Sequence, residues 1–86
     1  MAEILVEVGS ITSATRLAKR LMRAGDKHAR VVSTPKELGK SGCSHSVKAS
    51  LESVDFIKNN HQGISVKAIY REEINIGGRV YHDISR

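Results

Sequence analysis

Tryptophan is absent from this chain of 86 residues, which holds one proline, one phenylalanine, two tyrosines and one cysteine. A single cysteine cannot close an internal disulfide, so a reducing cytoplasm is the expected location. Phe56, Tyr70 and Tyr81 are too few for RNA recognition on a sheet surface, which stacks bases on aromatic rings. No apolar run approaches the roughly 20 residues of a membrane span, so no membrane partner is expected. The opening residues lack a signal peptide's basic start and apolar run, because Glu3 and Glu7 flank Ile4-Leu5-Val6. A GxxxxGK[ST] phosphate loop is missing. No second pair of ligands accompanies Cys43 and His45 for a structural zinc site, so no metal or cofactor is expected. No carboxylate–histidine pair stands at a telling distance from Cys43, which argues against a cysteine hydrolase, and the chain is expected not to be an enzyme.

What is present is an ordinary globular balance: 40% hydrophobic and 27% charged residues, with a formal net charge of +5. That charge favours acidic partners without naming one. The length suits one domain over residues 1–86, which should bury roughly 60–65% of its unfolded surface. Within it, residues 4–70 form the expected core and 71–86 a hairpin extension.

Ile4-Leu5-Val6-Glu7-Val8 is short, apolar and β-branched, as a buried strand should be. Ser10 then offers a hydroxyl to cap a helix. Ile11, Ala14, Leu17, Ala18 and Leu21 follow at helical spacing, and Gly25 suits a left-handed helix end. Ala29 to Ser33 reads as a second strand, stopped by Thr34-Pro35 because proline has no N–H for a ladder. Ser44 to Ala49 alternates as a third strand. Ser50 is expected to cap a second helix whose inner face is Leu51, Val54 and Ile57, with Phe56 beside them. Ile64, Val66, Ala68 and Tyr70 predict one apolar face of a fourth strand. The paired glycines of Ile76-Gly77-Gly78-Arg79 predict a two-residue hairpin turn leading into Val80 to Ile84. This order predicts an α+β fold, a ferredoxin-like split βαβ (βαββαβ) with two helices on one face of a mainly antiparallel sheet.

The one thiol falls in the segment STPKELGKSGCSHSVKAS, among Lys36, Lys40, His45 and Lys48. Only the thiolate of a cysteine is a nucleophile, and at an unperturbed pKa of about 8.5 roughly 3% of it is ionised at neutral pH. Nearby cations raise that fraction. Gly39 and Gly42 remove side chains around the sulfur, so a second protein could approach it. A lone cysteine is commonly a small buried hydrophobe. The setting Gly-Lys-Ser-Gly-Cys-Ser is a poor core sequence and favours exposure.

Thr34-Pro35-Lys36-Glu37-Leu38, a short gap and then Gly42-Cys43, all after a strand–helix–strand, resemble small bacterial proteins of a selenium/sulfur carrier-like family of unknown function. The resemblance covers Ile4 to about Tyr70, including the Gly9-Ser10 turn and the Ala24-Gly25 helix end. It implies that Cys43 holds sulfur or selenium as a persulfide or selenopersulfide and passes it between donor and acceptor proteins. Pro35 and Glu37 match loop-shaping positions. The sequence departs from the family pattern at Gly39, where serine is frequent, at Ser44, where glycine is frequent, and in the added residues 74–86.

Arg16, Lys19, Arg20 and Arg23 share the other face of the first helix at i, i+3, i+4 and i+7. Their mutual repulsion opposes the helix by roughly a few tenths of a kcal/mol per pair. Either the face is solvated, or it docks an acidic protein surface or a phosphate backbone. The second case is the alternative to the carrier: a small basic interaction module in which Cys43 is incidental.

Overall fold

The computed structural model describes residues 3–38, 45–60 and 62–85. The run of β-branched residues at the start forms β1 (Glu3–Val8), followed directly by α1 (Ile11–Arg23). The Ser10 side chain accepts a hydrogen bond from the Ser13 N–H at 3.1 Å and so caps α1 as its residue type predicts. At the other end Gly25 has φ 101°, its N–H donating to the Met22 carbonyl and that of Asp26 to the Leu21 carbonyl. This pair of bonds is the Schellman arrangement, which requires the left-handed conformation that glycine adopts without strain.

Four strands follow: β2 (Arg30–Ser33), β3 (His45–Ser50), β4 (Val66–Asn75) and β5 (Gly78–Asp83). Between β3 and β4 lie a 3-10 turn (Leu51–Ser53) and the short helix α2 (Val54–Asn59). Among the described residues the strands form one antiparallel sheet in the order β2-β3-β1-β4-β5. The α+β class is as expected. The sheet departs from the four-stranded ferredoxin-like arrangement in carrying β5 as a fifth strand beyond β4.

β1 is the middle strand, and its alternate residues face different surroundings. Ile4, Val6 and Val8 join Ala14, Leu17, Ala18 and Leu21 of α1, with Val47, Ala49, Ile57 and Ile69, in one buried cluster. Burying a leucine such as Leu17 or Leu21 contributes about 1.5–3 kcal/mol. Between the helices, the partly buried Arg20 donates from its guanidinium to the Asn60 carbonyl at 2.8 Å and the Gln62 carbonyl at 3.3 Å. It ties α1 to the chain leaving α2.

Several local expectations change. Ile11 is 51% exposed and lies outside the α1 stripe. The pairing of β1 with β4 shifts register between Glu7 and Val8, so that Val8 faces Val66 whereas Glu7 faces Ala68. The extra residue flips the phase of β4. Ile69 therefore enters the core, whereas Ala68 and Tyr70, expected there, align with Glu7 and Leu5 on the opposite face. Ser50 makes no cap bond to the following turn, since its backbone N–H and hydroxyl both donate to Asp26, and Leu51 is exposed. In the last hairpin the loop residues are Ile76 and Gly77, one position earlier than expected, and only Gly78 of that turn takes positive φ. The Asn75 side chain accepts from the Gly77 N–H at 2.9 Å and shapes the turn locally.

Candidate functional site

The connection from β2 to β3 begins where Thr34-Pro35 removes a ladder donor. Ser33 pairs with His45 as the last register pair on that side. One residue beyond, the hydroxyls of Thr34 and Ser46 are 2.7 Å apart and hold the two strands together. The Leu38 N–H donates to the Pro35 carbonyl at 2.9 Å, closing a turn in which Lys36 and Glu37 are the exposed central residues. Pro35 thus opens a turn, as a loop-shaping residue would, and Lys36 presents its ammonium to solvent. His45 opens β3 and is half-buried. Gly39, Lys40, Gly42, Cys43 and Ser44 lie outside the described residues. Cys43 stands two positions before His45 in the sequence.

The strand that leaves this connection carries polar side chains to the sheet face turned away from the helices. Ser46 and Lys48 are buried there beside Leu5 and Glu7 of β1 and Glu72 of β4. Lys48 Nζ lies 3.1 Å from Glu72 Oε2, and the Tyr81 hydroxyl donates to the same oxygen at 3.2 Å. Burial, and after it the charge of Glu72, pushes the Tyr81 hydroxyl above its ordinary pKa. At the edge of this face Arg30 and Glu3 form a 3.0 Å ion pair. The Arg30 hydrogen bond holds the Glu3 carboxyl below its usual pKa against the opposing effect of burial.

This assembly alters the expected electrostatics of the thiol segment. Lys48 was one of the cations close to Cys43 in sequence, yet it is committed to Glu72. Lys36 is the exposed cation among the described residues of the β2–β3 connection. Sequence reasoning missed Glu72 and Tyr81 as partners because they come from strands distant in the chain. The alternation Ser46, Lys48 was the available signal, and it read only as the pattern of a third strand.

On α1, Arg16, Lys19 and Arg23 are exposed, but Arg20 is not part of a free basic face. Its guanidinium is used by the carbonyls of Asn60 and Gln62. The predicted quartet is therefore a trio.

At the far end of β3 from position 43, a groove of 600 Å³ runs between the α1 C-terminal turn and the 3-10 turn, past Lys27, His28, Glu52 and Phe56. Asp26 at its base accepts from the N–H and hydroxyl of Ser50, the Ser53 hydroxyl and the His28 N–H. Burial opposes the charge on Asp26, and these hydrogen bonds together bring its pKa below 3.8. With its lone pairs engaged, Asp26 serves as a clip between two turns. Among the described residues, no three histidine, cysteine or acidic side chains gather to hold a metal ion. No helix among them is long and apolar enough to cross a membrane.

Compared with known families, residues 3–71 match the model of the family described as "Putative Se/S carrier protein-like". No curated protein and no solved structure matches the chain.

Proposed function

The chain belongs to the Se/S carrier protein-like family, and from that premise we propose that it is a non-enzymatic thiol carrier for sulfur or selenium, with Cys43 as the accepting atom's host. The observation that carries this reading is the family match, which runs through position 43.

In the loading step the Cys43 thiolate attacks the terminal sulfur of a donor persulfide, R–S–SH. A new S–S bond forms at Cys43, the donor's S–S bond breaks, and the donor leaves as the thiolate R–S⁻. The proton stays on the transferred sulfur, and no external oxidant or reductant is consumed. Delivery repeats the exchange: an acceptor thiolate takes the terminal sulfur and Cys43 leaves as thiolate. A donor selenopersulfide, R–S–SeH, transfers selenium by the same exchange.

The described surroundings suit this role. The segment is anchored at Ser33–His45 and by the Thr34–Ser46 bond, so its ends are fixed whatever docks on it. Lys36 supplies an exposed positive charge in the same connection, and Lys40, Gly39 and Gly42 stand closer to Cys43 in sequence. A positive charge beside the sulfur favours its anionic forms. Donor and acceptor proteins supply the rest of the chemistry, and an acidic surface on either would complement Arg16, Lys19 and Arg23. A reducing compartment such as the cytoplasm keeps the single thiol available.

The test is the intact mass of the protein after exposure to a persulfide donor without reductant. The wild-type chain should gain the mass of one sulfur atom and lose it to an added thiol, and Cys43→Ser should gain nothing. An equal gain in Cys43→Ser, or none in the folded wild type, sinks the proposal.

A further inference from the structure

The two edges of the sheet differ. β2 has four residues and meets Pro35 two positions after its end, which blunts it as a pairing template. β5 has six residues, contains no proline and pairs with β4 without a register shift. It lies beyond residue 71, where the family match ends, so this edge is an addition to the shared core.

Strand parity shows which backbone groups β5 presents outward. The Ile84 N–H donates inward to the Ile69 carbonyl at 2.8 Å, continuing the register in which His82 faces Arg71 and Val80 faces Glu73. Even-numbered residues of this segment therefore bond toward β4. The N–H and C=O groups of Arg79, Tyr81 and Asp83 point to the open edge, because directions alternate along an antiparallel strand. Their side chains share one face of the sheet.

We infer that β5 pairs antiparallel with β5 of a second copy of this chain, about a twofold axis at Tyr81, joining two five-stranded sheets into one. In that register Tyr81 faces Tyr81 of the second copy. Arg79 faces Asp83 of the second copy, and the symmetry repeats the pair at the other end. Three conditions meet there. The outward backbone groups of residues 79, 81 and 83 match those of the same residues in reverse order, as an isologous contact requires. Opposite charges face one another twice, and two aromatic rings lie side by side; both kinds of cross-strand pair stabilise a sheet. Val80, 40% exposed on the other face, meets His82 of the second copy. Shifting the register by two residues places Arg79 or Asp83 against Tyr81 and removes the charge match. This surface is independent of the thiol reading and stands or falls without it.

The experiment is sedimentation equilibrium of the full chain over a concentration series, with charge variants. The wild type should form a dimer. Arg79→Asp alone and Asp83→Arg alone each set like charges face to face at both ends, and should weaken the dimer about tenfold or more. The reversed double variant should dimerise as the wild type does. A mixture of the two single variants should form a heterodimer, since each end then joins one carboxylate to one guanidinium. Circular dichroism of each variant checks that the fold is kept. A wild type that stays monomeric, a dimer indifferent to both single variants, or a mixture that fails to recover association overturns the inference.

Discussion

Lys48 Nζ approaches Glu72 Oε2 to 3.1 Å although their strands, β3 and β4, are not neighbours; β1 runs between them. The side chains are 11% and 4% exposed, so the pair forms a nearly dry strap over the central strand. Removing one partner leaves an uncompensated charge in a place where water is scarce. Lys48→Met should lower unfolding free energy in urea by about 3 kcal/mol. Lys48→Met combined with Glu72→Leu should recover most of that loss, because apolar groups of similar volume replace a buried pair with little penalty. Wild-type stability in the single variant would show that the strap is well solvated.

Acid should loosen the clip at Asp26. Its folded pKa lies below the ordinary 3.8, so the stability it contributes is complete well above that value. That contribution falls away as pH drops through 3.8 toward the folded pKa, where Asp26 protonates in both states. Asp26→Asn should be less stable at neutral pH and should show a shallower loss from about pH 5 down into strong acid. Chemical unfolding at a series of pH values reads the slope. Parallel curves for the two proteins would remove Asp26 from the acid response.

Gly25 closes α1 at φ 101°, and a Cβ there would meet no heavy atom within 4 Å. Any cost of Gly25→Ala is therefore conformational and should be about 1 kcal/mol. For a domain of this size that lowers the melting temperature by roughly 4–8 °C. An unchanged melting temperature would mean that the turn rearranges without penalty.

The basic residues of α1 should separate by role. Arg20→Met leaves the carbonyls of Asn60 and Gln62 without their charged donor and should cost about 1–2 kcal/mol. Arg16→Met and Arg23→Met remove exposed charges and should stay within about 0.5 kcal/mol of wild type. Thermal melts of the three variants make the comparison, and equal effects would contradict the assignment of Arg20 to the fold.

The parts legible in the sequence were those governed by neighbours along the chain. Ile4-Leu5-Val6 had to be buried, Ser10 had a helix to cap, Gly25 had one to end, and Pro35 had to stop β2. The readings that changed were decided by distant groups. Ser50 looked like a helix cap, but Asp26, far back in the chain, takes both of its donors. Val66, Ala68 and Tyr70 looked like one face until the shift beside Val8 split them. The partners of Ser46 and Lys48 stayed hidden because Thr34 follows β2 and Glu72 lies on β4, both distant in the chain. Arg20 looked like part of a charged surface because nothing local shows that the chain after α2 returns to it. The candidate thiol was visible from composition and the Thr-Pro-Lys-Glu-Leu…Gly-Cys motif, whereas the commitment of Lys48 to Glu72 was not.

The central place of β1 also orders events during synthesis. β1 is made before the other four strands of the sheet, yet both of its neighbours, β3 and β4, come later in the chain. A nascent chain must therefore carry Ile4, Leu5 and Val6 without a sheet partner until β3 has emerged, and with one side still unpaired until β4 follows, since a contact between distant segments cannot form before both exist. Ribosome-bound intermediates ending before β4 should be the ones that chaperones recognise.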